Sequence, residues 1–476
     1  MSLDDNFVPE SGSIIIRNVH LVYGEGKLFD VHCRTGVVTA VQSVDEHPAT
    51  KFTQQHHAIP QLDTNGEGIL LPSLCHSHVH LDKCFLLDNC GDLQSGGFQE
   101  ALQVTTEAKS RFIDSLDDVY RRGRRLIVES MECGVTVMRA HVEVDKTVGL
   151  RCLEIALRLK EDFQGLCEIQ VAVFAQDPLF DDPHDEEPGD NYSILCDAAR
   201  VPGVSVVGSA PYVEPQVAQS RRNISLLLRL AVELSLHADF HLDYNIDPSS
   251  PPLIYDVLKE LKELDWAAQF PSDSIRKVTI GHGTRYSLFD SKQWEHLKFS
   301  VGDLPVSFVA LPQSDMYMMG KGGADRAILP SRGTIPVPFV AGKELEVALS
   351  VNNVGNAFTP QGSVDPLLLC PLGIAIYQDA SLRTCNTLLD CISISSKRAI
   401  GVLDVGSDFS TFPQPGDTAD FVLLHDNASA RSAVLAPCYS RTTVRGGTVV
   451  ATRTVQTWTA ASHTPLAPSS MPLCLS

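Results

Sequence analysis

At 476 residues the chain is long enough for one large domain and a smaller one, and its 43% hydrophobic and 20% charged content is that of an ordinary globular protein. A net charge of −20, from 38 basic against 58 acidic residues, argues against a nucleic-acid partner or an anionic membrane surface. No apolar run reaches the length of a membrane span, the start MSLDDNFVPESG lacks a basic-then-apolar leader, and the 13 cysteines lack paired spacing, so a cytoplasmic protein with reduced thiols is expected.

In chain order, residues 13–43 are β-branched runs broken by Gly-containing turns, which predicts a small all-β unit. Next come short apolar strands separated by helical segments, at 68–75, 134–142, 168–176, 203–211, 236–242, 276–282, 304–311 and 343–351. Among the helices, 115–134 shows a Ser115/Asp118 capping pattern and Gly134 as its stop, while 223–234 and 252–264 repeat the apolar spacing. Residues 416–451 return to the β pattern of the N-terminus. Neither β piece is large enough to bury a core alone, so the two are expected to pair into one sandwich. The expected organisation is α/β: residues 1–66 and 410–455 form a small β-sandwich from both termini, 67–409 a distorted (β/α)8 barrel of TIM type, and 456–476 a flexible tail. A doubly wound sheet is the rival pattern, but no Gly-rich phosphate turn follows the first strand.

Active sites of such barrels lie at the C-terminal ends of the strands. Polar residues collect there: His78 and His80, His141 and Glu143, Gln176, Tyr212 and Glu214, His241 and Asp243, His282, Gln313 and Asp315, then Asn352 and Asn353. His78 and His80 are two apart, so an extended strand turns both imidazoles to one side. One histidine at a strand end is ordinarily a core residue with a partner. Five at one rim point to a site.

The stretch LPSLCHSHVHLDKCF resembles the first-strand motif of cytosine deaminase-like members of the amidohydrolase superfamily, and VMRAHVEVD, VAVFAQD, DFHLDY, VTIGHG and NNVGNAFTPQGSVDPL are similar to their later strands. PGDTADFVLL and TTVRGGTVV resemble their closing sandwich, so the likeness runs from about residue 13 to 451. It implies a metallo-dependent barrel plus sandwich, with His78, His80 and His241 as metal ligands and Gln176 against a substrate ring. Two departures stand out. The family's proton-shuttling glutamate is Tyr244 here, and its metal-ligating aspartate is Asn352; the aspartate before the first histidine pair is His76.

Three imidazoles suffice for zinc in other catalytic folds, so one divalent ion is expected, zinc first and iron as the alternative. Asn352 offers a neutral carbonyl oxygen but accepts no proton, and a tyrosine of ordinary pKa about 10 is a poor shuttle at neutral pH. Substitute bases are Asp243, Glu214 and Asp315, whose equal alternative is to hold loops or orient histidines, and, best of all, His282, since an imidazole titrates near neutrality. The expected catalytic set is therefore His282, Tyr244, Asn352 and Asp243, with Gln176, Tyr212, Glu214 and Asp315 binding substrate. Two functions follow: a divergent metal-dependent hydrolase acting on a C–N bond of a small cyclic amide or amidine other than cytosine, or a non-hydrolytic barrel in specialised metabolism (a ligand-binding pseudoenzyme, isomerase or cyclase). The partner is a small molecule in both, and a homo-oligomer is compatible with either. The methionine-bearing stretch 314–326 reads as an apolar lid, and 175–191 as a solvated acidic insertion.

Overall fold

The structure is a computed structural model, and it describes residues 12–46, 59–112, 114–272, 274–320, 331–403 and 410–458. The N-terminal strands are β1 (Ile14–Leu21), β2 (Leu28–Arg34), β3 (Val37–Ser43), β4 (Gln61–Asp63) and β5 (Ile69–Pro72). Eight barrel strands follow: β6 (Leu74–His80), β7 (Val135–Glu143), β8 (Glu168–Ala175), β9 (Val204–Ser209), β10 (His237–Leu242), β11 (Val278–His282), β12 (Val306–Ala310) and β13 (Val347–Leu349). The C-terminal piece adds β14 (Phe421–Leu424), β15 (Arg441–Arg445) and β16 (Thr448–Arg453).

β6 to β13 pair side by side in sequence order, all parallel, as helical crossovers require. The ring closes between its first and last members: Val79 bridges Asn352, His80 N donates to Asn352 O at 2.9 Å, and Asn352 N to His78 O at 3.0 Å. The expected (β/α)8 barrel is what forms. The second sheet runs β16-β15-β14-β5-β1-β2-β3, with β4 on β1, so both termini build it as expected. Val38 N donates to Asp417 O at 2.8 Å and Ala419 N to Gly36 O at 2.9 Å, which rolls the β3 edge back towards β14 around a separate core of Ile14, Ile16, Val31, Leu70 and Leu423.

Several expectations at element level are corrected. The single strand expected at 68–75 is two strands. Ser73 N donates to Asp420 O in the sandwich at 2.9 Å and Leu74 N to Gly134 O at 2.8 Å, so the hydrogen-bond partner changes between adjacent residues, and the sandwich extends past residue 66 to Pro72. The helix Leu116–Glu132 does begin after Ser115, but the Ser115 hydroxyl caps nothing; Asp118 pairs with Arg122 instead, at 2.8 Å. Gly134 does follow that helix, at φ +106°, a conformation only glycine adopts without strain. The helices expected at 223–234 and 252–264 span Val217–Leu234 and Ile254–Glu263, and the eighth strand shrinks to three residues. The acidic insertion is tied down: Gly189 N donates to Leu179 O at 2.7 Å and Gln219 Nε2 to Asp182 O at 2.8 Å, while its charges stay exposed. Residues 321–326 of the expected lid, and most of the expected tail, lie outside the described residues. No helix among the described residues is long and apolar enough to cross a membrane.

Candidate active site

The register of β6 against β7 slips between His76 and Val79. His76 consequently leaves the site and meets Ser130 Oγ of the neighbouring helix at 3.0 Å, and burial lowers its pKa to about 3. His78 and His80 remain at the site. The His78 ring centroid lies 4.2 Å from that of His141 and 4.4 Å from that of His241, and His80 stands 5.1 Å from His241.

Asp239, two residues before His241 on β10, completes the cluster. Its Oδ2 accepts from Arg139 Nη1 at 2.8 Å, while Oδ1 lies 3.2 Å from His141 Nε2 and 3.8 Å from His78 Nδ1. Burial opposes its charge, but His141 and Arg139 hold the carboxyl well below the usual range. One donor atom from each of His78, His141, Asp239 and His241 lies within 4.8 Å of the others. None of these four atoms is saturated. Both nitrogens of His78 and of His141, Asp239 Oδ1, His241 Nε2 and the nearby Asn352 Oδ1 are buried without a properly oriented hydrogen bond among the described residues. Each such atom costs about 1–3 kcal/mol. Burial, then the neighbouring positive groups, drive the pKa values of His78, His80 and His241 far below the ordinary imidazole value, so all three keep free lone pairs. Neutral imidazoles around one carboxylate oxygen form a donor set that fits a borderline divalent cation such as zinc.

Above this cluster, His282 Nδ1 meets Asp315 Oδ1 at 3.0 Å. Asp315 also accepts from Thr334 Oγ1 at 2.7 Å, and burial raises its pKa. The carboxylate fixes the tautomer with hydrogen on Nδ1, which turns the Nε2 lone pair of His282 to the cavity. Tyr244 stacks on that ring at 3.8 Å between centroids, and burial together with Asp315 keeps its hydroxyl protonated. Phe98 closes the cavity from outside. It touches Tyr212, Tyr244 and Phe358 edge-on or tilted, at about 6 Å, and leaves about 10 Å³, room for about one water.

Of the residues singled out from the sequence, His80, Gln176, Tyr212, His241, Tyr244, His282 and Asn352 line this cavity, and His78 lies beneath it. Of the expected catalytic and substrate-binding residues, three do not reach it. Asp243, at φ +51°, accepts from Leu253 N at 2.8 Å, Ile254 N at 3.1 Å and the Tyr286 hydroxyl at 2.7 Å, and burial raises its pKa to about 6. Glu214 holds Leu179 N, Phe180 N and Asn223 Nδ2. Asp315 acts through His282. Carboxylates at strand ends served loop anchoring here, because the backbone donors of those loops had no other acceptors. Sequence reading missed Asp239 as a cluster member, although its two-residue offset from His241 puts both on one side of β10. It also missed Phe98 and Lys109, which carry no local signal, and gave no role to Lys83, although that residue lies in the first-strand motif. Lys109 Nζ reaches Glu143 Oε2 and Asp145 Oδ2, both at 2.7 Å, and Lys83 Nζ reaches Glu143 Oε1 at 2.7 Å.

No family model matches the chain, and neither does any curated protein. Solved structures do match in fold. A 5-methylcytosine deaminase from Klebsiella pneumoniae, liganded with 5-fluorocytosine, superposes with a TM-score of 0.79 at 20% identity, over 94% of this chain and 99% of that one. An N-isopropylammelide isopropylaminohydrolase from Burkholderia multivorans reaches 0.70 at 21% identity, over 93% and 98%. An adenosine deaminase from Xanthomonas campestris with bound zinc reaches 0.60 at 14%, over 92% of each chain. The barrel-plus-sandwich fold of these solved structures is therefore the fold of this chain.

Proposed function

We propose that the chain is a metal-dependent hydrolase that cleaves a C–N bond in a small cyclic amide, amidine or related compound other than cytosine. The observation that carries this reading is the convergence of unpartnered buried donor atoms on His78, His141, Asp239, His241 and Asn352 at the mouth of the barrel. Similarity in fold to solved deaminases supports it. The metal, when bound, supplies Lewis acidity and an acidified water. His78 and His241, with His141 and Asp239 or with His80 completing the set, would hold it, and Asn352 adds a neutral oxygen. His282 Nε2 would take a proton from the attacking water and pass it to the departing nitrogen, and Asp315 would stabilise the imidazolium in between. Tyr244 donates a hydrogen bond to oxygen that gains charge in the transition state, a role ordinarily worth about 10²–10³ in turnover. Gln176 and Tyr212 orient the ring.

A second reading, a barrel that binds or isomerises its ligand without hydrolysis, is favoured by one observation: none of the described residues lining the cavity bears a carboxylate. Elemental analysis of purified protein separates the two. The hydrolase reading expects about one zinc or similar ion per chain, lost in His78→Ala and His241→Ala while the circular dichroism spectrum is kept. Protein that binds no divalent ion, or variants that retain it in full, would favour the non-hydrolytic barrel. Residence in the cytoplasm and self-association belong to the same proposal; fractionation and sedimentation test them.

A further inference from the structure

Three amides line the cavity, those of Gln176, Asn352 and Asn353, and the first and last are each locked in one orientation by a neighbour that does not touch the metal cluster. Lys83 Nζ donates to Gln176 Oε1 at 3.3 Å. An ammonium only donates, so the Gln176 oxygen must face it and the NH2 must face away. That Nε2 is buried without a hydrogen-bond partner among the described residues; the Tyr212 hydroxyl is near enough for the amide to oppose the upward push of burial on its pKa, but not placed to accept. On the other side, Asn356 Nδ2 donates to Asn353 Oδ1 at 2.7 Å. Asn356 is itself fixed, since its Oδ1 accepts from Phe358 N at 3.0 Å and Thr359 N at 3.1 Å, and its Nδ2 also donates to Lys83 O at 3.2 Å. Asn353 therefore also presents its NH2. Lys83 Nζ lines the same cavity as a third donor group. Its charge is balanced by Glu143 behind it.

The geometry points to a ligand whose edge facing Gln176, Asn353 and Lys83 carries hydrogen-bond acceptors only. The chemical class is a cyclic amide bearing a further carbonyl, enolate or carboxylate oxygen on that edge. A ring that places an N–H beside its carbonyl, as cytosine does, would set a donor against a donor there. Asn356 is a positioning residue for this choice, Gln176 and Asn353 read it, and Lys83 does both, orienting Gln176 and facing the ligand. The inference rests on the reading that this cavity is the ligand site, and it does not depend on hydrolysis.

The test is calorimetric titration of the purified, metal-replete protein with two probes of similar size. One is the barbiturate anion, whose O–C–CH–C–O edge holds acceptors alone, and the other is cytosine. Barbiturate is expected to bind at least about tenfold more tightly, the factor carried by about one hydrogen bond. Gln176→Glu keeps the contact to Lys83 but replaces the NH2 with an acceptor. It should weaken barbiturate binding by about 10- to 100-fold and cytosine binding much less. Asn353→Asp should act in the same direction. Cytosine binding as well as barbiturate in the native protein, failure of both probes to bind, or an unchanged ratio in both variants would each overturn the proposal. Ammonia release plays no part in the readout, so loss of the hydrolase reading and loss of this one are told apart.

Discussion

Asn352 stands where the resemblance places a metal-ligating aspartate, and its backbone lies at φ +61°. Asparagine and aspartate are the non-glycine residues that tolerate this left-handed region best. The exchange thus preserves the hydrogen bonds to His78 and His80 that close the barrel, and removes only a charge. His282, at φ +70°, is held in a rarer conformation for its type by the pairing of β11 and by Asp315. Glu143 is the residue on which the site's charge balance turns. Burial opposes its ionisation, but Lys109 and Lys83 hold the carboxyl down to about 2 from an ordinary 4.5. A carboxyl lowered on folding contributes stability that is present above about 4.5 and lost as pH falls towards about 2. Glu143→Gln should therefore cost roughly 3 kcal/mol at neutral pH. In urea unfolding at stepped pH, the difference between the two proteins should shrink below about 4.5; a gap that does not change with pH would show that the carboxylate is not held down.

At the scale of elements, the alternation of apolar residues located seven barrel strands with ends shifted by a few residues, whereas the first expected strand, 68–75, merged the sandwich strand β5 with the start of β6. What it did not locate was the slip in β6 that separates His76 from His78, because a bulge is a property of the pair β6–β7 and leaves period 2 in the sequence unchanged. The stop of the helix Leu116–Glu132 was legible in Gly134, for a reason beyond helix capping. A Cβ there would lie 2.6 Å from Val422 Cγ2 on β14, so the turn is also a point of close approach between barrel and sandwich. Gly134→Ala should destabilise by roughly 1–3 kcal/mol, from the positive φ together with the clash. Trimming the neighbour in Gly134→Ala/Val422→Ala should leave only the backbone strain. Urea midpoints of the three proteins measure this, and equal stability of native protein and Gly134→Ala would remove both effects.

On the scale of the whole molecule, barrel and sandwich are stitched by one buried guanidinium. Arg441 on β15 sits at 1% exposure, paired to Asp365 Oδ2 at 2.7 Å, with its Nη1 donating to Cys133 O at 2.9 Å and its Nε to Cys438 O at 2.9 Å. Removing one partner of such a pair leaves a buried charge alone, at about 3–5 kcal/mol. Arg441→Met should show that loss, and faster hydrogen exchange in β15 and β16 than in the barrel strands. Unchanged exchange in those two strands would mean that the sandwich is held by its apolar core alone. The same long-range ties give the site its form, since its residues arrive from seven barrel strands or their ends.

The sequence by itself determined the fold class, the strand ends where chemistry gathers, and which histidines belong there, because periodicity and the reach of β-strands are local properties. It also determined the absence of a carboxylate at positions 244 and 352, a fact of residue identity. Tertiary structure decided which polar groups face the cavity. Asp243 and Glu214 spend their charge on loop N–H groups, and Asp315 on His282, whereas Asp239 and His141 come to lie beside His78. It also decided that Lys83 and Asn356, without any motif to mark their partners, fix which face of Gln176 and Asn353 a ligand meets. The physical reason is the same in each case. A buried polar atom takes its role from whichever donor or acceptor packing brings within about 3 Å, and that partner lies anywhere from three residues away, as for Asn353 and Asn356, to 93 away, as for Lys83 and Gln176.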